Sequence, residues 1–119
     1  MIFYEYPPCS TCKKARQHLE SKGVSFEAIN LKVDPPSVDA LKLMLERSGY
    51  PLKRFFNTSG QSYKALGLKD RFEALSEEEA LTLLSEDGML IKRPILIHQD
   101  TVILGYKQED YDTLLETIE

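Results

Sequence analysis

Two cysteines are all that this chain of 119 residues contains, too few for the framework of a disulfide-rich secreted domain. No apolar run approaches the roughly 18 residues that a membrane span needs, and the N-terminus lacks the basic and long apolar regions of a signal peptide. The expected location is therefore cytoplasmic, with no membrane partner. Basic residues are in deficit: 15 Lys and Arg stand against 19 Asp and Glu, a net charge of −4. A broad, direct nucleic-acid grip is not expected, because neutralising phosphates requires a basic face. Histidine is also scarce, and neither His18 nor His98 stands at a ligand spacing from the cysteines. A closed zinc site needs four ligands, so no metal is expected.

What is present is an ordinary composition, 42% hydrophobic and 29% charged, at a length that favours one domain. The two cysteines stand three positions apart in the motif Cys9-Ser10-Thr11-Cys12. A disulfide between them would close so small a loop that it would add roughly 2 kcal/mol at best. Stability is a poor reason for such a pair, and chemistry a better one.

Residues Ile2-Phe3-Tyr4-Glu5-Tyr6 read as a strand that stops at Pro7-Pro8. Cys12, Ala15 and Leu19 then repeat at helical spacing until Gly23, and residues 24–31 read as a second strand. This is a βαβ unit with parallel strands. Pro35-Pro36-Ser37 opens a helical middle, with Val38, Leu41, Met44 and Leu45 on one face of its first helix. Short helices are expected over residues 52–56 and 61–66, separated by the turn Asn57-Thr58-Ser59-Gly60. A further helix runs from the capping box Ser76-Glu77-Glu78-Glu79 to Asp87-Gly88. Ile95-Leu96-Ile97 and Val102-Ile103-Leu104 form an antiparallel hairpin, and Tyr111, Leu114, Leu115 and Ile118 mark a closing amphipathic helix. The order is βαβ, helices, ββα, an α/β class.

Cys9 lies just ahead of the first helix, where free amides and the positive end of the helix dipole favour a thiolate. An ordinary thiol near 8.5 is about 3% ionised at pH 7, whereas one lowered to about 6 is about 90% ionised. Cys9 is therefore the attacking sulfur, and Cys12, one turn inward, is placed to resolve a mixed disulfide. Lys13 and Lys14 oppose the dipole and either hold an anion or the thiolate, or are solvated surface lysines. Arg93, before Pro94, either forks its N–H groups onto an oxyanion or carboxylate or is an exposed arginine. Base rates for X-Pro bonds alone make Pro94 trans.

Taken in order, Cys9-Ser10-Thr11-Cys12, Asn57-Thr58-Ser59-Gly60, Tyr63-Lys64-Ala65-Leu66-Gly67 and Ile91-Lys92-Arg93-Pro94-Ile95 resemble the ArsC/Spx family over nearly the whole chain. The likeness is greatest to small arsenate-reductase-like members with a local C-x-x-C. It implies a thioredoxin-like fold with a mixed four-stranded sheet in a single domain, residues 1–119. Thioredoxin-like halves would cover about 1–34 and 90–119, and a helical insertion about 35–89. It also implies that Pro94 is a cis proline, structural at the site, which brings Arg93 beside Cys9.

In the glutaredoxin-coupled arsenate reductases of the family, the first cysteine attacks arsenate and three arginines hold the oxyanion. Cys9 and Arg93 match the nucleophile and one arginine, with Lys13 as a further anion-binding candidate. Asn57 and Tyr106 stand where the other arginines are expected, although Arg54 is close in sequence. Cys12 is a second departure, because those enzymes complete the cycle with glutathione and glutaredoxin. The resemblance thus implies a thiol–disulfide oxidoreductase acting on a small oxyanion such as arsenate, or on a disulfide. It needs no bound cofactor and is recycled by thioredoxin, glutaredoxin or glutathione. The alternative is an Spx-like redox-sensing regulator that binds the α-subunit of RNA polymerase.

Overall fold

The computed structural model of the chain describes residues 1–118. Strands β1 (Ile2–Glu5), β2 (Glu27–Asn30), β3 (Ile95–His98) and β4 (Thr101–Leu104) form one sheet in the order β2-β1-β3-β4. Helix α1 (Ser10–Ser21) carries the chain back between β1 and β2, which therefore run parallel; β1 with β3 and β3 with β4 run antiparallel. Helices α2 (Val38–Ser48), α3 (Gln61–Ala65), α4 (Leu68–Arg71) and α5 (Glu77–Glu86) follow β2, and α6 (Gln108–Glu116) follows β4. This is the α/β, thioredoxin-like arrangement with a mixed sheet.

Two units divide the chain: Met1–Asn30 with the described residues from Arg93 onward, and Leu31–Lys92. In the first, the period of two along each strand decides the core. Phe3, Leu96 and Ile103 are register partners across three strands and form one apolar row. Ala15 and Leu19 of α1 and Tyr111 and Leu114 of α6 cover that row. Burying each large side chain contributes about 1.5–3 kcal/mol, so α1 is held on the sheet by its helical stripe. Gly105, at a left-handed φ of 76°, turns the chain out of β4 while its amide donates to the Pro94 carbonyl at 2.8 Å.

In the second unit α2 packs on α5, with Leu41, Met44, Ala80, Leu81 and Leu84 buried. The expected capping box forms: Glu79 N–H donates to the Ser76 hydroxyl at 3.1 Å, and Ser76 N–H to the Glu79 carboxylate at 2.9 Å. Lys92 N–H donates to Phe55 O and Asn57 N–H to Leu90 O, each at 2.8 Å, tying two loop segments as a short bridge. Gly88 has no alternative, because a Cβ there would stand 1.7 Å from the Leu31 carbonyl oxygen.

Two elements differ from expectation. β2 spans four residues rather than 24–31, because it is an edge strand and the apolar residues before it, Val24 and Phe26, pack on the core outside the ladder. α4 is unheralded in the sequence, since Leu68 is its one buried residue and offers no periodicity to read. Among the described residues, no helix is long and apolar enough to cross a membrane.

Candidate active site

The site begins in the turn Tyr6-Pro7-Pro8-Cys9, closed by the Cys9 N–H donating to Tyr6 O at 2.9 Å. The fixed φ of proline suits such a turn and delivers Cys9 to the N-cap of α1 with an extended backbone, φ −72° and ψ 125°. Ser, Thr, Asp or Asn usually fills this position. Here the Cys9 sulfur does, accepting from the Cys12 N–H at 3.4 Å. No acidic residue occupies the first turn of α1, so a Cys9 thiolate is the one negative group offered to the positive helix end.

The two sulfurs differ in access. Cys9 is partly exposed and Cys12 is fully buried, and both are free thiols. Cys12 Sγ accepts from the Tyr6 N–H at 3.5 Å, which fastens the third helix residue to the end of β1. Partial burial opposes ionisation of Cys9, but the Cys12 amide and thiol and the Arg93 guanidinium together outweigh it and lower its pKa below 9.0. Burial acts the other way on Cys12. Only the Tyr6 amide and the Arg93 charge relieve it, the neighbouring Cys9 adds to it, and the thiol is pushed up to about 12. The pair is thus polarised: Cys9 releases its proton more readily than an ordinary thiol, and Cys12 keeps its own.

The Arg93-Pro94 peptide bond is cis, whereas base rates alone gave trans, and the Arg93 guanidinium acts on the Cys9 thiol. The same guanidinium lies over the Tyr6 ring, 5.2 Å from the centroid, a cation–π contact that steadies the charge. Cys9, Cys12 and Arg93 therefore come together. Lys13 is exposed in the first turn of α1 and does not figure among the groups acting on the Cys9 thiol.

Three supporting features escaped sequence reasoning. Glu5 is buried at the end of β1 and is gripped by both Arg16 Nε, at 3.1 Å, and Arg16 Nη2. His18, whose side chain is 7% exposed, has Nδ1 2.7 Å from the Tyr106 hydroxyl and Nε2 2.7 Å from the Asp112 carboxylate. A carboxylate only accepts, so Nε2 donates to Asp112. Tyr111 lies fully buried, edge-on to Tyr106 at 4.9 Å, and its hydroxyl has no partner among the described residues. The positions expected to carry further arginines are otherwise engaged: Tyr106 holds His18, and the Asn57 side chain accepts from Ser59 at 3.3 Å.

Fold and site together define a thioredoxin-like protein with a polarised C-x-x-C at the start of its first helix. The model of the ArsC family matches residues 4–114, and the chain belongs to that family. It is 45% identical over 112 residues to the uncharacterized protein YusI of Bacillus subtilis (strain 168), covering 94% of this chain and 95% of that one. The crystal structure of a possible arsenate reductase from Streptococcus mutans UA159 is 50% identical, with a TM-score of 0.86 over 93% of this chain and 96% of that one. The regulatory protein MgsR of Bacillus subtilis (strain 168) is 30% identical over 106 residues, 89% of this chain and 82% of its own length.

Proposed function

We propose that the protein is a cytoplasmic thiol–disulfide oxidoreductase in which Cys9 attacks and Cys12 resolves. The observation that carries this reading is the asymmetry of the pair: a partly exposed Cys9 sulfur under the Cys12 amide and Arg93, against a buried, proton-retaining Cys12. The Cys9 thiolate attacks one sulfur of an oxidised disulfide, forming a mixed disulfide and expelling the other sulfur as a thiolate that takes up a proton. Cys12 then gives up its proton and attacks the Cys9 sulfur, releasing the second substrate thiol. The substrate disulfide gains two electrons and the Cys9–Cys12 disulfide forms. A dithiol such as thioredoxin, or glutaredoxin with glutathione, returns those electrons by the same exchange in reverse.

A small oxyanion fits the same scheme. With arsenate, Cys9 displaces water to form a thiolate–arsenic(V) adduct, and attack by Cys12 on the Cys9 sulfur releases arsenic(III) as arsenite. The name borne by the Streptococcus mutans relative supports including arsenate. The single arginine at the sulfur weakens the case, since each charge-assisted bond to a dianion contributes about 1.5–3 kcal/mol.

Cys9→Ser is expected to abolish turnover of a model disulfide and of arsenate, while Cys12→Ser accumulates a mixed disulfide at Cys9, visible by mass spectrometry under non-reducing conditions. Alkylation of Cys9 by iodoacetamide at pH 7 is expected to outpace that of a free thiol; an equal rate would defeat the activated-nucleophile reading. Supplying thioredoxin and glutaredoxin systems in turn identifies the reductant.

The similarity to MgsR favours one second reading, a redox-sensing regulator. In that case the reduced or the oxidised form captures the RNA polymerase α-subunit in a pull-down with purified components. Binding by neither form removes this reading.

A further inference from the structure

The chain is acidic, yet the unit over Leu31–Lys92 gathers cations at one place. Two grooves of about 480 and 440 Å³ adjoin there and share Lys53 and Thr58 as lining. Lys64 and Lys69 line the first with Lys53, and Arg54 and Lys92 line the second. Asp70 is the one acid in either lining. Removing these five cations and one acid from the chain's 15 basic and 19 acidic residues leaves ten against eighteen. A strongly positive patch thus sits on a molecule that is strongly negative elsewhere.

These cations are not spent on the protein's own carboxylates. None of the five forms an ion pair among the described residues. Two are held by rings instead: Lys53 lies over Phe72 at 5.7 Å and Arg54 over Tyr50 at 4.6 Å from the ring centroids. A ring face restrains a cation without neutralising it, so both charges stay available to a visitor. All five side chains are exposed.

We propose that this double groove is the docking surface for an acidic segment on the surface of a protein partner. Charge complementarity selects an anion, and the form of the patch selects a protein over a nucleic acid. The aromatic residues lining the grooves, Phe56 and Tyr63, are 2% and 4% exposed. They offer no open ring on which a base could stack. A polynucleotide also carries a phosphate about every 3.4 Å along each strand, and would run off the patch onto the acidic remainder. An acidic stretch on a protein is bounded and avoids that repulsion. Lys92 is the residue immediately before Arg93 in the sequence. That the docked protein is the one exchanging thiols with Cys9 rests on the function proposed above.

The test titrates full-length reduced protein with a poly-glutamate peptide while amide resonances are followed by NMR. The expected result is a set of shifts centred on residues 53–70 and on Lys92. Binding should weaken as salt is raised and weaken about tenfold in Lys64→Glu/Lys69→Glu, consistent with loss of surface charge pairs. Lys92→Gln provides a milder second variant, and circular dichroism establishes that each variant is folded. Absence of shifts at the patch, or tighter binding there of oligo-dT or inorganic polyphosphate than of poly-glutamate, overturns the proposal. A separate arm compares reduction of an acidic protein disulfide with that of hydroxyethyl disulfide. The double variant is expected to slow the first about tenfold and leave the second unchanged; equal slowing of both overturns the link to docking. Loss of both activities in unmodified protein, with peptide binding intact, would defeat the redox reading alone.

Discussion

Tyr111 buries a hydroxyl that has no hydrogen-bond partner among the described residues. Its ring packs with His18 and Tyr106. Burial above all, and next the repulsion from Cys12 and Tyr106 once they ionise, holds the hydroxyl far above the usual phenol range. An unmet buried donor costs about 1–3 kcal/mol. Tyr111→Phe keeps the ring and removes the oxygen, so it is expected to raise stability by about 1 kcal/mol in urea denaturation. A loss of stability would show that the hydroxyl finds a partner in solution. The same scale explains what could be read from sequence at the site. Cys9, Cys12 and Arg93-Pro94 carry signals in their immediate neighbours or in a known motif. The His18 cluster does not, because Tyr106 and Asp112 lie 88 and 94 residues away. Glu5 offered a weak signal, a lone acid amid the apolar residues of a strand, but nothing along the chain named Arg16 as its partner.

Elements were legible where their ends carry their own chemistry. The N-caps of α2 and α5 form as the Ser37 and Ser76 patterns require, and the hairpin of β3 and β4 follows from its apolar runs. The trimmed β2 and the unheralded α4 show the converse: an edge position and a single buried residue are facts of tertiary packing. Ser76→Ala removes one half of the capping box of α5 and is expected to cost about 1 kcal/mol, read as a lower midpoint in urea with an unchanged m-value. The Glu79 carboxylate is kept below its ordinary pKa chiefly by the Ser76 amide, which this variant retains, and next by the Ser76 hydroxyl, so it should rise only part of the way toward an ordinary glutamate. A Ser76→Ala protein with wild-type stability would mean that packing of Leu81 and Leu84 alone holds the helix start.

Across the whole molecule, the two thiols impose opposite pH dependences on folding. Cys9 ionises more readily folded than unfolded, so stability rises as pH climbs from its lowered folded value toward 9.0. Cys12 keeps its proton to about 12 when folded. Between about 9 and 12 the unfolded chain has therefore released a proton that the native chain retains, and stability falls by up to about 1.4 kcal/mol per pH unit. Denaturation series on the reduced protein are expected to show this alkaline decline, and a folded Cys12→Ala variant should remove the part that begins near 9, leaving the part above 10.0 that the raised Tyr111 hydroxyl adds. An equally steep decline in that variant would assign the effect to other groups.

Helix α1 is fastened along its length: Cys12 to the Tyr6 amide, Arg16 to Glu5, and His18 to both Tyr106 and Asp112. A helix tied to a strand near one end and to α6 further along can neither slide nor pivot without breaking several polar contacts at once. The orientation of the reactive sulfur is consequently settled before any encounter. In the exchange proposed above, little configurational freedom remains to be surrendered on the way to the in-line arrangement of three sulfurs, and the search for that geometry falls to the incoming molecule.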